Sequence, residues 1–101
     1  MNNSRNIPLL SSSPGYAIQV NNHILDGWHR LSQEHPGQMA ELKQLLKHYP
    51  DNLRPTNGKA KKLKGRLKEY YQYDVTYSDR VRYRVDKKNR IVYVDYAGPH
   101  P

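Results

Sequence analysis

The chain has 101 residues, with 17 Lys and Arg against 9 Asp and Glu, nine Tyr and no Cys. That length holds one domain with a single modest core. The lack of cysteine excludes a disulfide framework and a thiolate metal site and suits a reducing cytoplasm. No apolar run approaches the length of a membrane span, so no membrane association is expected. The net charge of +8 is uneven: residues 1–58 carry +1 and residues 59–101 carry +7, which argues for a polyanionic partner, either nucleic acid or an acidic protein.

Residues 1–15, MNNSRNIPLLSSSPG, read as a disordered lead-in rich in Asn, Ser and Pro. They hold one Arg and one Leu pair, too little for a secretory signal, so a soluble intracellular protein is expected. Residues 16–101 are read as the single folded domain. Tyr16, Ile18 and Val20 alternate with Ala17 and Gln19 as a short first strand. Asn21-Asn22 breaks it and offers a cap. Ile24, Leu25, Trp28 and Leu31 recur at helical spacing, and His35-Pro36-Gly37 closes that helix. Met39, Leu42, Leu45, Leu46 and Tyr49 set a second helix from about Gln38 to Tyr49. The short joint predicts an antiparallel helical hairpin. Pro50 stops it, and PDNLRPTNG over residues 50–58 is loop.

Lys59, Lys61, Lys62, Lys64, Arg66 and Lys68 then place six basic residues within ten positions. Leu63 and Leu67 anchor this element, and Gly65 permits a turn. A three-stranded antiparallel meander follows. Tyr71, Tyr73, Val75 and Tyr77 alternate with Tyr70, Gln72, Asp74 and Thr76; Ser78-Asp79 turns the chain. The second strand puts Val81, Tyr83 and Val85 on one face and Arg80, Arg82 and Arg84 on the other. After a polar turn over residues 86–89, Ile91 to Ala97 is apolar on both faces except for Asp95, as expected of an interior strand. Asp95 either pairs with a neighbouring arginine or faces solvent. The predicted class is α+β: a strand, a helical hairpin and a meander, with the hairpin on one face of the sheet. The arginine row beside tyrosines suggests a nucleic-acid surface. The histidines at 23, 29, 35, 48 and 100 show no metal-ligand spacing, and no phosphate-binding glycine loop or nucleophile elbow is present, so no cofactor or metal is expected.

Three motifs, Lys62-Leu63-Lys64-Gly65, Arg80-Val81-Arg82-Tyr83-Arg84-Val85-Asp86 and Ala97-Gly98-Pro99-His100, in this order between Tyr16 and His100, resemble the RelE/ParE superfamily of toxin–antitoxin toxins. The resemblance implies a small toxin held in a hetero-oligomer by a cognate antitoxin. RelE-like members cut ribosome-bound mRNA without a metal: a 2′-hydroxyl attacks the adjacent phosphate, assisted by acid–base groups and cationic stabilisation. ParE-like members share the fold but act on DNA gyrase. Arg80 matches the strand arginine that stabilises the developing charge. His100 lies near the last-strand Arg or His that acts as general acid. Where RelE has two strand lysines this chain has Tyr71 and Tyr73, which could stack on a base or donate a hydrogen bond. Lys59, Lys61, Lys62, Lys64, Arg66, Arg82 and Arg84 are the expected RNA-binding set, with Lys62 or Lys64 able to compensate for the missing strand lysines. The chain ends at Pro101, before the further C-terminal tyrosine of RelE, and the general base is unassigned. The expected activity is therefore a ribosome-dependent mRNA endoribonuclease. The alternatives are a ParE-like gyrase inhibitor and a non-catalytic nucleic-acid-binding module.

Overall fold

The computed structural model describes residues 15–100. Apart from Gly15, the predicted lead-in lies outside the described residues. The first strand, β1 (Ala17–Val20), is followed by one 3₁₀ turn and by helices α1 (Leu25–Glu34) and α2 (Pro36–His48). Four further strands complete the sheet: β2 (Ala60–Lys62), β3 (Tyr70–Asp74), β4 (Asp79–Asp86) and β5 (Ile91–Pro99). The order across the sheet is β1-β5-β4-β3-β2; β1 runs parallel to β5 and the other pairs are antiparallel. The α+β class holds, and the sheet is five-stranded and mixed.

Local chemistry explains most boundaries. The Asn21 side chain accepts a hydrogen bond from the His23 amide at 2.9 Å and so caps the turn that leads into α1. Between the helices only His35 is non-helical, and Pro36 opens α2. The sequence suggested that Pro36-Gly37 would end the first helix. Instead, proline sits where a helix needs no amide donor and where its fixed φ is already helical. Tyr49 closes α2 by donating its amide to Leu45.

Two departures concern the sheet. β2 lies within the lysine run, where no strand was expected. Three residues with two lysines give no readable alternation, yet Ala60 is buried opposite Tyr73, and Lys61 and Lys62 pair with Gln72 and Tyr71. Lysine at such a short edge strand keeps it from pairing with other chains. β3 is also shorter than its tyrosine alternation suggests. At Val75 the chain bends, the Val75 amide turns to the Asp79 carbonyl at 3.0 Å, and Tyr77 leaves the strand.

Both helices cover one face of the sheet. Trp28, Leu31, Met39, Leu42, Leu45 and Leu46 pack there on Tyr73, Val81, Tyr83, Val92, Val94 and Ala97. The helical spacing therefore did mark the core stripe up to Leu46, whereas Tyr49, its last predicted position, is exposed past the end of α2. Tyr83 is fully buried, and its hydroxyl donates to the Pro50 carbonyl at 3.2 Å, so its polar end is satisfied. β5 is interior, as expected, but its alternation changes parity. Tyr83 faces Val94 while Arg82 faces Tyr96, so Asp95 is the extra residue of a β-bulge. Val92 and Val94 before it, and Ala97 after it, can all reach the core.

Gly27 of α1 sits directly against β5: a Cβ there would lie 2.2 Å from the Ala97 carbonyl oxygen. Backbone on both sides cannot yield cheaply, so Gly27→Ala must push α1 off the sheet, at about 1–3 kcal/mol. Leu46→Ala, which empties a fully buried site, should cost about 2–5 kcal/mol. Urea unfolding of both variants checks the two contacts, and wild-type stability in either would contradict the contact it tests.

Candidate nucleic-acid interface

On the sheet face away from the helices, β4 presents Arg80, Arg82 and Arg84 in a row. Register sets Asp74, Gln72 and Tyr70 of β3 on one side of them and Gly98, Tyr96 and Tyr93 of β5 on the other. Each arginine is held differently. The Arg84 Nε donates to Asp95 Oδ2 at 3.0 Å, and its guanidinium lies 4.8 Å from the Tyr93 ring centre and 5.8 Å from that of Tyr70. The hydrogen bond to Asp95 raises the Arg84 pKa against a partial loss of hydration. Asp95 therefore pairs with an arginine, the first of its two sequence readings. Arg82 donates from Nε to Gln72 Oε1 at 3.0 Å and sits 6.0 Å over Tyr96. Lys61, opposite Gln72, continues this rung to the sheet edge.

Arg80 is more enclosed than Arg84, with 14% of its side chain exposed against 40%. Its Nε lies 2.9 Å from Asp74 Oδ1, an ion pair by distance without hydrogen-bond alignment. Its Nη1 donates to the carbonyls of Thr76, Tyr77 and Asp79 at 3.0–3.2 Å. Arg80 thus organises the β3–β4 turn as well as carrying charge. Beside it an open cleft of about 870 Å³ is bordered by Lys59, Asp74, Tyr77 and His100 as well as Arg80 itself. The His100 amide donates to the Ser78 carbonyl at 2.7 Å, which fixes the end of β5 against that turn. Residues far apart in the chain, Lys59, Arg80 and His100, therefore meet at one cleft.

Tyr71 and Tyr73 do not join them. Strand alternation puts both on the helix side, opposite Tyr83 and Val81. Tyr73 is 2% exposed, and Tyr71 stacks on Tyr83 with ring centres 5.2 Å apart. Burial raises both phenol pKa values, which keeps them neutral and leaves no phenolate to act as a base at neutral pH. The basic run is divided too. Lys62 lies 5.1 Å over the Tyr71 ring and donates to the Lys68 carbonyl. Lys59 pairs with Glu41 at 3.3 Å, while Lys64 and Arg66 are exposed in the turn before β3. Among the described residues, no group of three or more His, Cys, Asp or Glu is placed to hold a metal ion, and no helix is long and apolar enough to cross a membrane.

Asp79 is the residue that sequence reasoning undervalued. It looked like turn chemistry, yet it is 8% exposed and accepts from Arg30 of α1 at 3.1 Å and from the Thr76 hydroxyl at 3.0 Å. His35 Nε2 lies 3.9 Å away. A Thr-x-x-Asp spacing around a turn was visible; the partner on α1 was not. Tyr93 and Tyr96 were read as apolar strand residues, and they turn out to flank the arginine row.

No protein-family model matches the chain, and no curated protein matches it. Solved structures do. RelE in the archaeal RelE–RelB complex from Pyrococcus horikoshii superposes with a TM-score of 0.63 at 19% identity, over 83% of this chain and 93% of that one. The YoeB/ParE toxin from Agrobacterium tumefaciens gives 0.59 at 19% identity, over 84% and 99%. The Escherichia coli DinJ–YafQ toxin–antitoxin complex gives 0.65 at 18% identity, over 84% and 92%. At these identities the likeness is one of fold.

The Asp79 cluster predicts a pH dependence. Burial raises the Asp79 pKa, but the hydrogen bonds from Arg30 and Thr76 outweigh it and the net shift is downward. A carboxylate lowered on folding stabilises the fold above its unfolded pKa of about 4, and that contribution is lost as pH falls through the lower folded value. Asp79→Asn should therefore lower the melting temperature at pH 7 and flatten the fall in stability on acidification. Parallel melting-versus-pH curves for variant and wild type would contradict this.

Proposed function

We propose that this chain, which has the fold of the RelE/ParE toxins, is the toxin of a toxin–antitoxin pair and cleaves ribosome-bound mRNA. The observation that carries the proposal is the cleft where Arg80, His100 and Lys59 converge at one end of an arginine- and tyrosine-lined sheet face. Such a face suits single-stranded RNA, because guanidinium groups meet phosphates and half-buried aromatic rings meet bases. In the reaction the RNA's own 2′-oxygen attacks the neighbouring phosphorus, the 2′-proton passes to a base, and the P–O5′ bond breaks. His100 protonates the departing 5′-oxygen. Arg80, with Nε and Nη1 engaged by Asp74 and the turn carbonyls, offers its remaining Nη2 edge to the phosphate as charge builds. Tyr71 and Tyr73 serve the core in this scheme. Arg82, Arg84 and Lys61 guide the strand, and Lys62, Lys64 and Arg66 extend the charge towards ribosomal RNA. The site of action is the cytoplasm, and a cognate antitoxin would cover this basic surface in a hetero-oligomer.

The tethering of Arg80 favours a second reading, a ParE-like inhibitor of DNA gyrase, in which Arg80 is structural and no bond is cut.

Two variants separate these readings. His100→Ala should slow single-turnover mRNA cleavage, followed by primer extension on ribosomes, about a hundredfold or more, with the melting temperature unchanged. An unaltered rate would remove His100 from the chemistry. Arg80→Lys keeps the charge but cannot hold the turn carbonyls and present a separate donor edge to the phosphate at once. It should lose at least tenfold in cleavage rate while RNA affinity falls only a few-fold. Wild-type protein that cuts no mRNA but blocks supercoiling by gyrase would establish the second reading.

A further inference from the structure

Tyr77 is 98% exposed. The other tyrosines on the sheet have partners: Tyr71 stacks on Tyr83, Tyr73 is buried in the core, Tyr70 and Tyr93 flank Arg84, and Tyr96 underlies Arg82. A single exposed aromatic residue is ordinary on a protein surface. The turn that carries Tyr77, however, is held from several sides. The Ser78 and Asp79 amides donate to the Thr76 hydroxyl oxygen at 3.2 and 3.1 Å. That hydroxyl donates in turn to Asp79, which Arg30 ties to α1. The Arg80 guanidinium grips the Tyr77 carbonyl at 3.1 Å, and the His100 amide holds the Ser78 carbonyl. The ring is thus raised into solvent on a fixed backbone, at the border of the cleft shared by Lys59, Arg80 and His100.

We propose that Tyr77 is a stacking platform for an unpaired base of single-stranded RNA, next to the phosphate held at Arg80. The proposal rests on the nucleic-acid reading above and adds a residue that positions the strand. A ring on a rigid turn loses little freedom on binding, and its π-face accepts any base. The cations around it suit the phosphates on either side of that base. An acidic protein segment would meet the same cations but gains nothing specific from a lone flat ring, so a base is the better occupant.

The test is fluorescence anisotropy at low salt with a short labelled single-stranded RNA and a matched RNA of abasic ribose units. Tyr77→Ala should weaken binding to the base-bearing RNA about 5- to 100-fold, while affinity for the abasic RNA stays at the wild-type value. Tyr77→Trp should restore binding, and its added emission should be quenched by the base-bearing RNA alone. If Tyr77→Ala costs nothing on base-bearing RNA that the wild type binds, or costs the same on both RNAs, the platform is overturned while the ribonuclease proposal stands. If it weakens binding to a poly-glutamate peptide as much as to RNA, Tyr77 belongs to a protein-binding surface and the platform is again overturned. If the wild type binds neither RNA, the platform and the reading beneath it fall together.

Discussion

A buried carboxylate joins the two layers of this protein. Asp79 lies at the start of β4, on the helix side of the sheet, where Arg30 of α1 and the Thr76 hydroxyl both donate to it. A carboxylate in that position would be costly without such donors. With them it fixes how the helices sit over the β3–β4 turn, and this turn carries both Arg80 and Tyr77. The next residue, Arg80, points to the other face and holds the same turn through its carbonyls. Two consecutive residues of opposite charge thus clamp one turn from opposite sides of the sheet. The geometry of the cleft depends on that clamp.

The second constraint is the bulge at Asp95. A regular β5 would have to choose between burying Val92 and Val94 and burying Ala97, because strand alternation has a period of two. One inserted residue removes the conflict. It also places a carboxylate at hydrogen-bond distance from Arg84, with Tyr93 and Tyr96 to either side of the insertion. Arg84 is thereby oriented by Asp95 and by the Tyr93 and Tyr70 rings, while Tyr96 lies under Arg82. At the far end of β5, Gly98 leaves room for the Tyr96 ring: a Cβ there would lie 3.3 Å from the Tyr96 hydroxyl oxygen.

The tyrosines show how one residue type serves two ends. On the helix side Tyr73 and Tyr83 fill the core in a chain without phenylalanine. On the opposite side Tyr70, Tyr93 and Tyr96 support guanidinium groups. Cation–π contacts of this kind hold long arginine side chains upright at modest cost in hydration. They also leave rings beside positive charge, the combination that single-stranded nucleic acids bind.

Much of this was legible from the chain itself. Helical spacing identified Trp28, Leu31, Leu42 and Leu46 as core, and alternation separated Val81 and Tyr83 from the arginine row, because both signals are local and periodic. The order of motifs by itself pointed to the RelE/ParE fold. The strand in the lysine run was hidden because three residues carry no period. Tyr71 and Tyr73 looked like site residues because they stand where RelE has its two strand lysines; pairing with Tyr83 and Val81 puts them on the side the helices cover. Asp79 and Asp95 looked like a turn residue and an anomaly, since their partners Arg30 and Arg84 lie 49 and 11 residues away in sequence. Only the folded sheet decided that Lys59, Arg80 and His100 share a cleft, because strand pairing, and not sequence proximity, brings the ends of β2, β4 and β5 together.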